Sequence, residues 1–262
     1  MSQKANYSKI PAEKLMSERN LDQEFEDSKD RDYIYEFDRI MHRYLLKKFS
    51  SAGTFTGSAL EMGCFEGNFT ELLLEYFPTL TVIEGSADLA ERTAQRFESL
   101  GRPITMICDF FERANPTEKY DNIFLIHSLE HVDDTSTVLS RAKSWLSDSG
   151  RLYIACPNAN APSRQIAVKM GLIDHNAAVT PAEYEHGHRR TYSLDTLERD
   201  AKSVGLEILG RGGVMFKGLA NFQMDAALAA GIIDASYLEG CYALGDVYPD
   251  LCSSVYVVCH NA

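Results

Sequence analysis

Two histidines lie close together just after an apolar run near the middle of the chain. His127 and His131 follow Asn122–Ile126 (NIFLI), a segment without alternation, which is typical of a strand covered on both faces. Histidine is the usual general base near pH 7, and a positioned base accelerates a proton transfer by roughly 10²–10⁴-fold. Both are therefore candidate catalytic bases. An equally open alternative is that His131 only holds the loop after the strand.

A second group of cations and imidazoles lies at residues 186–190, His-Gly-His-Arg-Arg. Arginine holds phosphate or carboxylate in a bidentate fork, so His188 and Arg189 are candidate ligands of an anionic substrate. The alternative is that the group braces a loop through carbonyls and through acids such as Glu183 and Glu185. The His-x-His spacing could suit a metal ion, but no third ligand is apparent, and we expect no metal site.

A glycine pair precedes a helical pattern within residues 58–77. The apolar run in SALEMGCFEG leads to Gly63 and Gly67, and helical periodicity follows. Asn68 and Glu71 have the spacing of a capping box, which predicts that a helix begins there. Strand, glycine turn and helix N-terminus together can hold a small ligand against exposed backbone N–H groups. A tight turn without any ligand would show the same glycines.

An acidic residue ends the next predicted strand. Leu80–Ile83 is apolar and is followed by Glu84, Gly85 and Ser86. A carboxylate at the tip of a second strand, after a glycine turn, can bind both hydroxyls of a ribose. The alternative for Glu84 is a surface carboxylate in the first turn of the helix that follows.

The third predicted strand, Ile104–Cys108, ends in Asp109-Phe110, which suits a contact to the amino group of adenine beside an aromatic ring. With these three strand ends, the sequence resembles the class I S-adenosylmethionine-dependent methyltransferases. The motifs that carry the resemblance follow in the family's order over roughly residues 58–210: Glu61-Met62-Gly63-Cys64-Phe65-Glu66-Gly67, Glu84, Cys108-Asp109-Phe110, Tyr120-Asp121-Asn122-Ile123, Leu129-Glu130-His131-Val132-Asp133-Asp134 and Gly150-Arg151-Leu152-Tyr153-Ile154-Ala155-Cys156-Pro157-Asn158.

The resemblance implies S-adenosylmethionine as cofactor and S-adenosylhomocysteine as product. The residues that would bind the cofactor are Glu61, Gly63, Cys64, Phe65, Gly67, Glu84, Gly85, Ser86, Asp109, Phe110 and His127. Phe65 departs from the family, in which glycine is common at this position. A dinucleotide is disfavoured, because its fingerprint needs glycines where Phe65 and Asn68 stand. Glu61 would also repel a pyrophosphate, whereas its charge suits an ammonium or sulfonium group.

The resemblance also implies where the methyl acceptor binds. The two histidines after the fourth strand would lie beside the transferred methyl group. An amphipathic pattern over residues 32–49 predicts a helix, and in resembling enzymes such a segment covers the cofactor. Tyr33 from this segment is a candidate ligand contact, with core packing as the alternative. Together with Asn158 in the exit loop of the fifth strand, His188 and Arg189 complete the candidate substrate-binding residues.

Strands that alternate with helices predict an α/β fold, a Rossmann-like doubly wound sheet of seven mostly parallel strands. By resemblance, the last predicted strand, Ser253–Val258, is antiparallel and lies between the fifth and the sixth. We expect a helical cap over residues 1–50 and a methyltransferase domain over residues 51–262. Long links at about 157–192 and 217–249 are predicted lid insertions, because such links in compact domains are usually functional.

Glycines and capping residues set two further expected boundaries. Ser86 is a good N-cap for a helix over Ala87–Leu100, with Gly101 just beyond its end. Leu206–Leu209 is expected to be a short strand, interrupted by the glycines that follow it.

Composition excludes several classes of partner. A formal net charge of −12 without a basic stripe argues against nucleic acid. No run approaches 18 apolar residues, so we expect no membrane span, and the polar start MSQKANYSKIPAEKL predicts no signal peptide. Six cysteines without C-x-x-C spacing indicate reduced thiols in a cytoplasmic protein.

The resemblance and the residues together predict a cytoplasmic methyltransferase, a monomer or homodimer, that uses S-adenosylmethionine. Its acceptor would be an oxygen or nitrogen of a small polar or anionic metabolite, such as a sugar, a nucleotide-sugar or a phosphorylated amine. Two alternatives stay open. One is a protein or peptide methyltransferase, which would need an open groove. The other is a module that holds the cofactor without turnover, for which Phe65 leaves room.

Overall fold

The computed structural model describes residues 19–29, 35–51 and 53–261. The α-helices in these residues are α1 (Leu21–Lys29), α2 (Glu36–Ser51), α3 (Asn68–Leu73), α4 (Ala87–Ser99), α5 (Thr135–Trp145), α6 (Pro162–Lys169), α7 (Pro181–Glu185), α8 (Leu194–Ser203), α9 (Asn221–Ala229) and α10 (Ala235–Val247). The strands are β1 (Ala59–Met62), β2 (Thr81–Glu84), β3 (Thr105–Cys108), β4 (Tyr120–Ile126), β5 (Leu146–Pro157), β6 (Leu206–Val214) and β7 (Ser254–Asn261).

The strands form one seven-stranded sheet in the order β3-β2-β1-β4-β5-β7-β6. β1 to β5 pair in parallel. β7 lies between β5 and β6 and is antiparallel to both. The predicted α/β fold and the predicted place of the last strand are therefore confirmed. Parallel strands put their carboxyl ends at one edge, and the strand order reverses between β1 and β4, where ligands bind in open sheets of this kind.

The sheet is covered on both faces, as the unbroken apolar run in β4 predicted. Ile123 and Leu125 pack into one hydrophobic cluster with α5 and α8, whereas Phe124 and Ile126 pack into the other with α2 and α3. Successive strand residues point to opposite faces, so a strand between two helical layers needs apolar side chains at every position.

Helix α2 provides much of the second layer. Phe37, Met41, Leu45 and Phe49 recur every four residues along it and are buried. Helix α10 lies beside α2, with Lys47 and Glu239 forming an ion pair at 2.9 Å.

The prediction that the strand beginning at Leu206 ends at Leu209 is wrong. β6 continues through the glycines to Val214, with a register shift between Ile208 and Gly210. A Cβ on Gly212 would lie 2.7 Å from the hydroxyl oxygen of Tyr256 on β7. The glycine therefore gives room to a neighbouring aromatic side chain instead of ending the strand.

Other boundaries agree with the sequence or extend it. The Ser86 hydroxyl accepts the N–H of Leu89 at 3.2 Å and caps α4, as predicted.

Within the described ranges, none of the helices has the length and apolar character to span a bilayer. All six cysteines lie in the described part of the chain and are free thiols, with Cys108 exposed and the others buried.

Candidate functional site

A cavity of about 1040 Å³ opens at the carboxyl edge of the sheet. Its floor comes from the ends of β1, β2 and β4, and its covers come from α1, α2 and residues 157–188 and 217–222. This volume is at the upper end of the roughly 300–1,000 Å³ typical of small-molecule sites. Of the second predicted lid, 217–249, only this first part lines the cavity, because α10 lies against α2.

The two glycines of the β1 loop have different roles. Gly63 lines the cavity with φ of 85°, and a Cβ there would lie 2.5 Å from the Ser128 hydroxyl oxygen. Gly67 has φ of 81° but lies under α4, where a Cβ would meet the Phe97 ring at 2.7 Å. Helix α3 begins at Asn68 as predicted. The predicted capping box is wrong, because Gly67 is the N-cap and no side chain caps it.

The Glu84 carboxylate lies at the tip of β2, in the cavity wall, with 8% of the residue exposed. Its Oε2 accepts the N–H groups of Cys64 at 3.1 Å and Phe65 at 3.2 Å, and its Oε1 accepts the N–H of Ser86 at 3.0 Å. A carboxylate offers about four acceptor positions, so capacity remains for a ligand hydroxyl. The Glu84 side chain therefore both holds the glycine loop and lines the cavity.

Phe65 adopts a left-handed backbone conformation, with φ of 49°. This conformation favours glycine, which explains in physical terms why a glycine suits the position. The Phe65 ring packs edge to face on Phe25 of α1, with ring centroids 5.5 Å apart, and both side chains line the cavity. The ring forms part of the wall and leaves the cavity open.

Helix α1 covers the loop that follows β2. Asp22 accepts hydrogen bonds from the Ser86 hydroxyl at 2.6 Å and from the N–H of Asp88 at 3.1 Å. These two bonds, the first the stronger, lower the pKa of Asp22. A Cβ on Gly85 would lie 2.5 Å from Leu21 Cδ1. This contact was not expected from the sequence, because Leu21 and Phe25 are isolated apolar residues in a segment that is otherwise polar and charged.

Three predicted cofactor contacts do not face the cavity in this structure. One of them is Gly67, which lies under α4. Glu61 is 2% exposed behind the glycine loop, where it accepts the Thr70 hydroxyl at 2.6 Å. Burial raises the pKa of Glu61 to about 8, so it is mainly neutral at pH 7, and the charge argument made for it does not hold. Asp109 pairs with Arg113 at 3.2 Å, outside the cavity wall, whereas Phe110 lines the cavity.

The histidines proposed as bases are neutral and weakly basic. Burial, followed by the nearby charges of His42 and His188, lowers the pKa of His127 to about 3. Its Nε2 lies 2.9 Å from the Ser254 hydroxyl oxygen. Burial also holds the pKa of His131 well below its usual range. An efficient general base has a pKa near the working pH, so the lowered pKa values of the two histidines do not favour this catalytic role. His42, missed from the sequence, lies beside His127 with ring centroids 5.6 Å apart.

Asn158 is in the cavity wall, but the protein already uses its polar atoms. Its Nδ2 donates to the carbonyls of Asp250 at 2.9 Å and Cys252 at 2.8 Å, and its Oδ1 accepts the N–H of Asn160 at 2.9 Å. Asn158 therefore joins the exit of β5 to the start of β7. This geometry favours a bracing role over a substrate contact.

Arg189 lies outside the cavity wall. Its guanidinium pairs with Glu24 of α1 and with Asp133, each at 3.2 Å. The bracing alternative for the 186–190 group therefore fits, although with other acids than those expected from the sequence. Glu183 pairs instead with Arg164 at 2.5 Å, inside the first insertion. Tyr33, the remaining candidate, lies outside the described residues.

His188 is buried at 7% exposure and lines the cavity. Its ring meets that of His131 edge to face, with centroids 4.5 Å apart. Burial lowers the pKa of His188 to about 4. The structure therefore places His188, predicted to bind the methyl acceptor, against His131, predicted to be a catalytic base.

Lys217 and Asp38, not singled out from the sequence, form the polar part of the opposite wall. Lys217 is 2% exposed, and its Nζ donates to the Leu219 carbonyl at 2.7 Å and lies 4.9 Å from the Phe37 ring centroid. Burial lowers the pKa of Lys217 to about 8 and raises that of Asp38 to about 6. A single lysine in the apolar stretch VMFKGLANF was the available signal.

A family model described as a methyltransferase domain matches residues 29–210, more than half of the chain. The chain belongs to this family. The resemblance stated from the motifs is confirmed, and the match spans the strands from β1 to β5 and most of β6.

Curated relatives of this methyltransferase-domain protein share modest identity. A ubiquinone biosynthesis O-methyltransferase of Rhodopseudomonas palustris (strain BisB5) is 23% identical over 170 residues, which are 62% of this chain and 63% of that protein. Nodulation protein S of Sinorhizobium fredii (strain NBRC 101917 / NGR234) is 29% identical over 119 residues, 44% of this chain and 54% of that protein. The chain therefore spans less than two thirds of the length of these relatives.

Solved structures share the fold over almost the whole chain. The N-methyltransferase NodS from Bradyrhizobium japonicum WM9, in complex with S-adenosyl-L-homocysteine, has a TM-score of 0.59 at 18% identity and covers 93% of this chain and 99% of its own. The plantazolicin methyltransferase BamL, in complex with a triazolic desmethylPZN analog and the same product, has a TM-score of 0.57 at 17% identity, covering 92% of this chain and 90% of its own. At such identities the likeness establishes the fold.

Proposed function

We propose that this protein transfers a methyl group from S-adenosylmethionine to an oxygen or nitrogen of a small polar acceptor. The observation that carries the proposal is one continuous cavity lined by two different groups of residues. We call the part beside the Gly63 turn and the Glu84 carboxylate its first end. The part under the first insertion, lined by neutral imidazoles and a buried carboxyl group, is called the other end.

The residues at the first end fit an adenosyl donor. Gly63 lines the cavity with a positive φ and no side chain, so its backbone can approach a ligand closely. Glu84 keeps acceptor capacity for ribose hydroxyls, and the Phe110 ring offers an apolar wall for a base. When bound, this donor supplies a methyl group already activated by a sulfonium sulfur. The protein then has to align the acceptor, which can contribute on the order of 7–11 kcal/mol.

The other end supports a small acceptor. Four parts of the chain contribute covers to the cavity, which is partly open to solvent: α1, α2 and residues 157–188 and 217–222. This cover favours a small acceptor over a protein or peptide side chain, which would need an open groove. Lys217, with a pKa lowered to about 8, is mostly charged at pH 7 and favours an acceptor that carries phosphate or carboxylate. Sugars, nucleotide-sugars and phosphorylated amines meet this description. The relatives' names include both O- and N-methyltransferases, so we leave both atoms in the proposal.

The test is calorimetry with S-adenosylhomocysteine, followed by a methyl-transfer screen over small phosphorylated and carboxylated acceptors. We expect the product to bind and one acceptor class to be methylated. Gly63→Ala should abolish binding, because its Cβ would meet Ser128. Gly101→Ala is the matched control, since Gly101 also has a positive φ, 68°, but nothing lies within 4 Å of its Cβ position.

Equal affinity in the two glycine variants would contradict the donor site. Binding of the product with no methylation of any acceptor would favour the module without turnover, for which the left-handed Phe65 remains the distinguishing feature.

A further inference from the structure

Three side chains with metal-ligating atoms meet in the cavity wall. Glu130 and His131 belong to a short 3-10 turn after β4, and His188 comes from the first insertion. One ligand atom from each residue lies within 4.8 Å of the other two. The N–H of Arg189 donates to the Glu130 carbonyl at 2.8 Å, which fixes the insertion against the turn. From the sequence, we expected no metal site at residues 186–190, because no third ligand was apparent. The fold brings two further ligands, Glu130 and His131, to His188 from another segment of the chain.

Glu130 has no hydrogen-bond partner for either carboxyl oxygen within the described part of the chain, although the residue is only 1% exposed. The Cys156 thiol lies beside it, but a thiol is a weak donor. Leaving a buried polar group unpaired is unfavourable, and more so when the group is charged. Such a group calls for a missing partner, and a cation is one that would satisfy both oxygens.

The cations near the three residues are paired with acids. Glu24 accepts hydrogen bonds from Arg19 at 3.0 Å and from Arg189 at 3.2 Å. Opposing positive charge close to the three ligands is therefore offset by carboxylates.

We propose that Glu130, His131 and His188 bind a divalent first-row transition-metal ion whose open positions face the cavity. Two imidazoles and one carboxylate are a donor set used by catalytic Zn²⁺ and by Fe²⁺, Mn²⁺ or Co²⁺ sites with free positions. Mg²⁺ prefers all-oxygen ligands and fits less well. All three residues line the cavity, so a free position would be accessible to a bound small molecule.

The ion also defines the acceptor, a step that rests on the proposed function. A Lewis-acidic ion lowers the pKa of a coordinated hydroxyl, so that its proton passes to water without a base of pKa near 7. The acceptor class is then a molecule with a hydroxyl group, and oxygen is the methylated atom.

The test uses the full chain after chelation and desalting, titrated with Zn²⁺ by calorimetry and with Co²⁺ by its visible d–d absorption. We expect one ion per chain and an affinity about 100-fold or more weaker in Glu130→Gln and His188→Asn, because even outer-shell changes typically cost 10–100-fold. His175→Asn, an exposed histidine of the same insertion, is the matched control and should bind as tightly as the unaltered chain.

Binding of S-adenosylhomocysteine by each variant shows that the chain is folded, because neither Glu130 nor His188 is among the residues expected to hold the donor. Equal Zn²⁺ affinity in all variants, or no stoichiometric Zn²⁺ binding by the unaltered chain, would overturn the metal site. Turnover of a hydroxyl acceptor that survives chelation unchanged would overturn its role. Zn²⁺ binding with the expected variant pattern in a chain that does not bind S-adenosylhomocysteine would sustain the metal site and refute the proposed function.

Discussion

The Asp22 carboxylate accepts a 2.6 Å hydrogen bond from the Ser86 hydroxyl, and so joins α1 to the N-cap of α4. The bond connects a helix at the start of the described chain to the loop after β2. It makes α1 part of the donor end of the cavity, and we expect it to control access there.

Removing this bond should loosen α1. In a double-mutant cycle of Asp22→Ala and Ser86→Ala, we expect a coupling of about 0.5–1.5 kcal/mol, the usual contribution of one hydrogen bond. The measurement is hydrogen exchange of residues 21–29, which should become faster in Asp22→Ala. Because bonding lowers the pKa of Asp22, its contribution is present above about pH 4 and is lost below. Additive effects of the two substitutions would contradict the coupling.

Glu84→Gln should weaken binding of S-adenosylhomocysteine by about 10–100-fold. The amide keeps the size of the side chain but loses the charge that the N–H groups of Cys64 and Phe65 and a ligand hydroxyl share. Calorimetry gives the affinity. Glu91→Gln, on the exposed face of α4, is the control and should bind normally. An affinity unchanged in Glu84→Gln would remove Glu84 from the donor site.

Glu61→Gln should make stability less dependent on pH. The pKa of Glu61 is about 8 in the folded protein and about 4.5 when exposed, so the folded state holds a proton that the unfolded state loses. Stability is therefore lost as pH rises from about 4.5 to 8, by on the order of a few kcal/mol. We expect Glu61→Gln to melt above the unaltered protein at pH 8 and close to it at pH 5.

The exposed residue Glu75 provides the comparison for this experiment. Melting curves of Glu75→Gln at the two pH values should follow those of the unaltered protein. If Glu61→Gln were less stable at pH 8 than at pH 5 by the same margin as the unaltered chain, Glu61 would not be the buried neutral acid described.

Phe65→Gly should be more stable than Phe65→Ala by about 1 kcal/mol. Both variants lose the ring contact with Phe25, but only glycine adopts φ of 49° without strain. Chemical denaturation of the two variants measures the difference directly. An alanine variant as stable as the glycine variant would show that the loop does not hold the left-handed conformation.

The local part of the fold was predictable from the sequence. The alternation of strands and helices, the cap at Ser86 and the place of Glu84 depend on neighbouring residues and on a rule for where strand ends meet. The place of the last strand came from the family resemblance. The run in β4 showed no alternation because both faces of that strand are covered, and this pattern is visible without coordinates.

The parts that were not predictable depend on contacts between distant segments. The Glu61 side chain lies behind the glycine loop, where the Thr70 hydroxyl of α3 donates to it. This direction depends on how α3 packs against β1. Gly212 continues β6 because a tyrosine of β7 needs its space. His188 lies beside His131 and Glu130 at the sheet edge, a proximity between distant segments that no local spacing encodes.

Glu24 of α1 and Arg189 of the first insertion form an ion pair at 3.2 Å, so two segments that cover the cavity are joined directly. Each segment also has an attachment of its own, Asp22 to Ser86 for α1 and Arg189 to Asp133 for the insertion. An outward movement of either cover breaks the shared pair, so it makes movement of the other cover easier. Release of the spent donor and release of the methylated product would then be coupled in free energy, by no more than the contribution of one partly exposed ion pair.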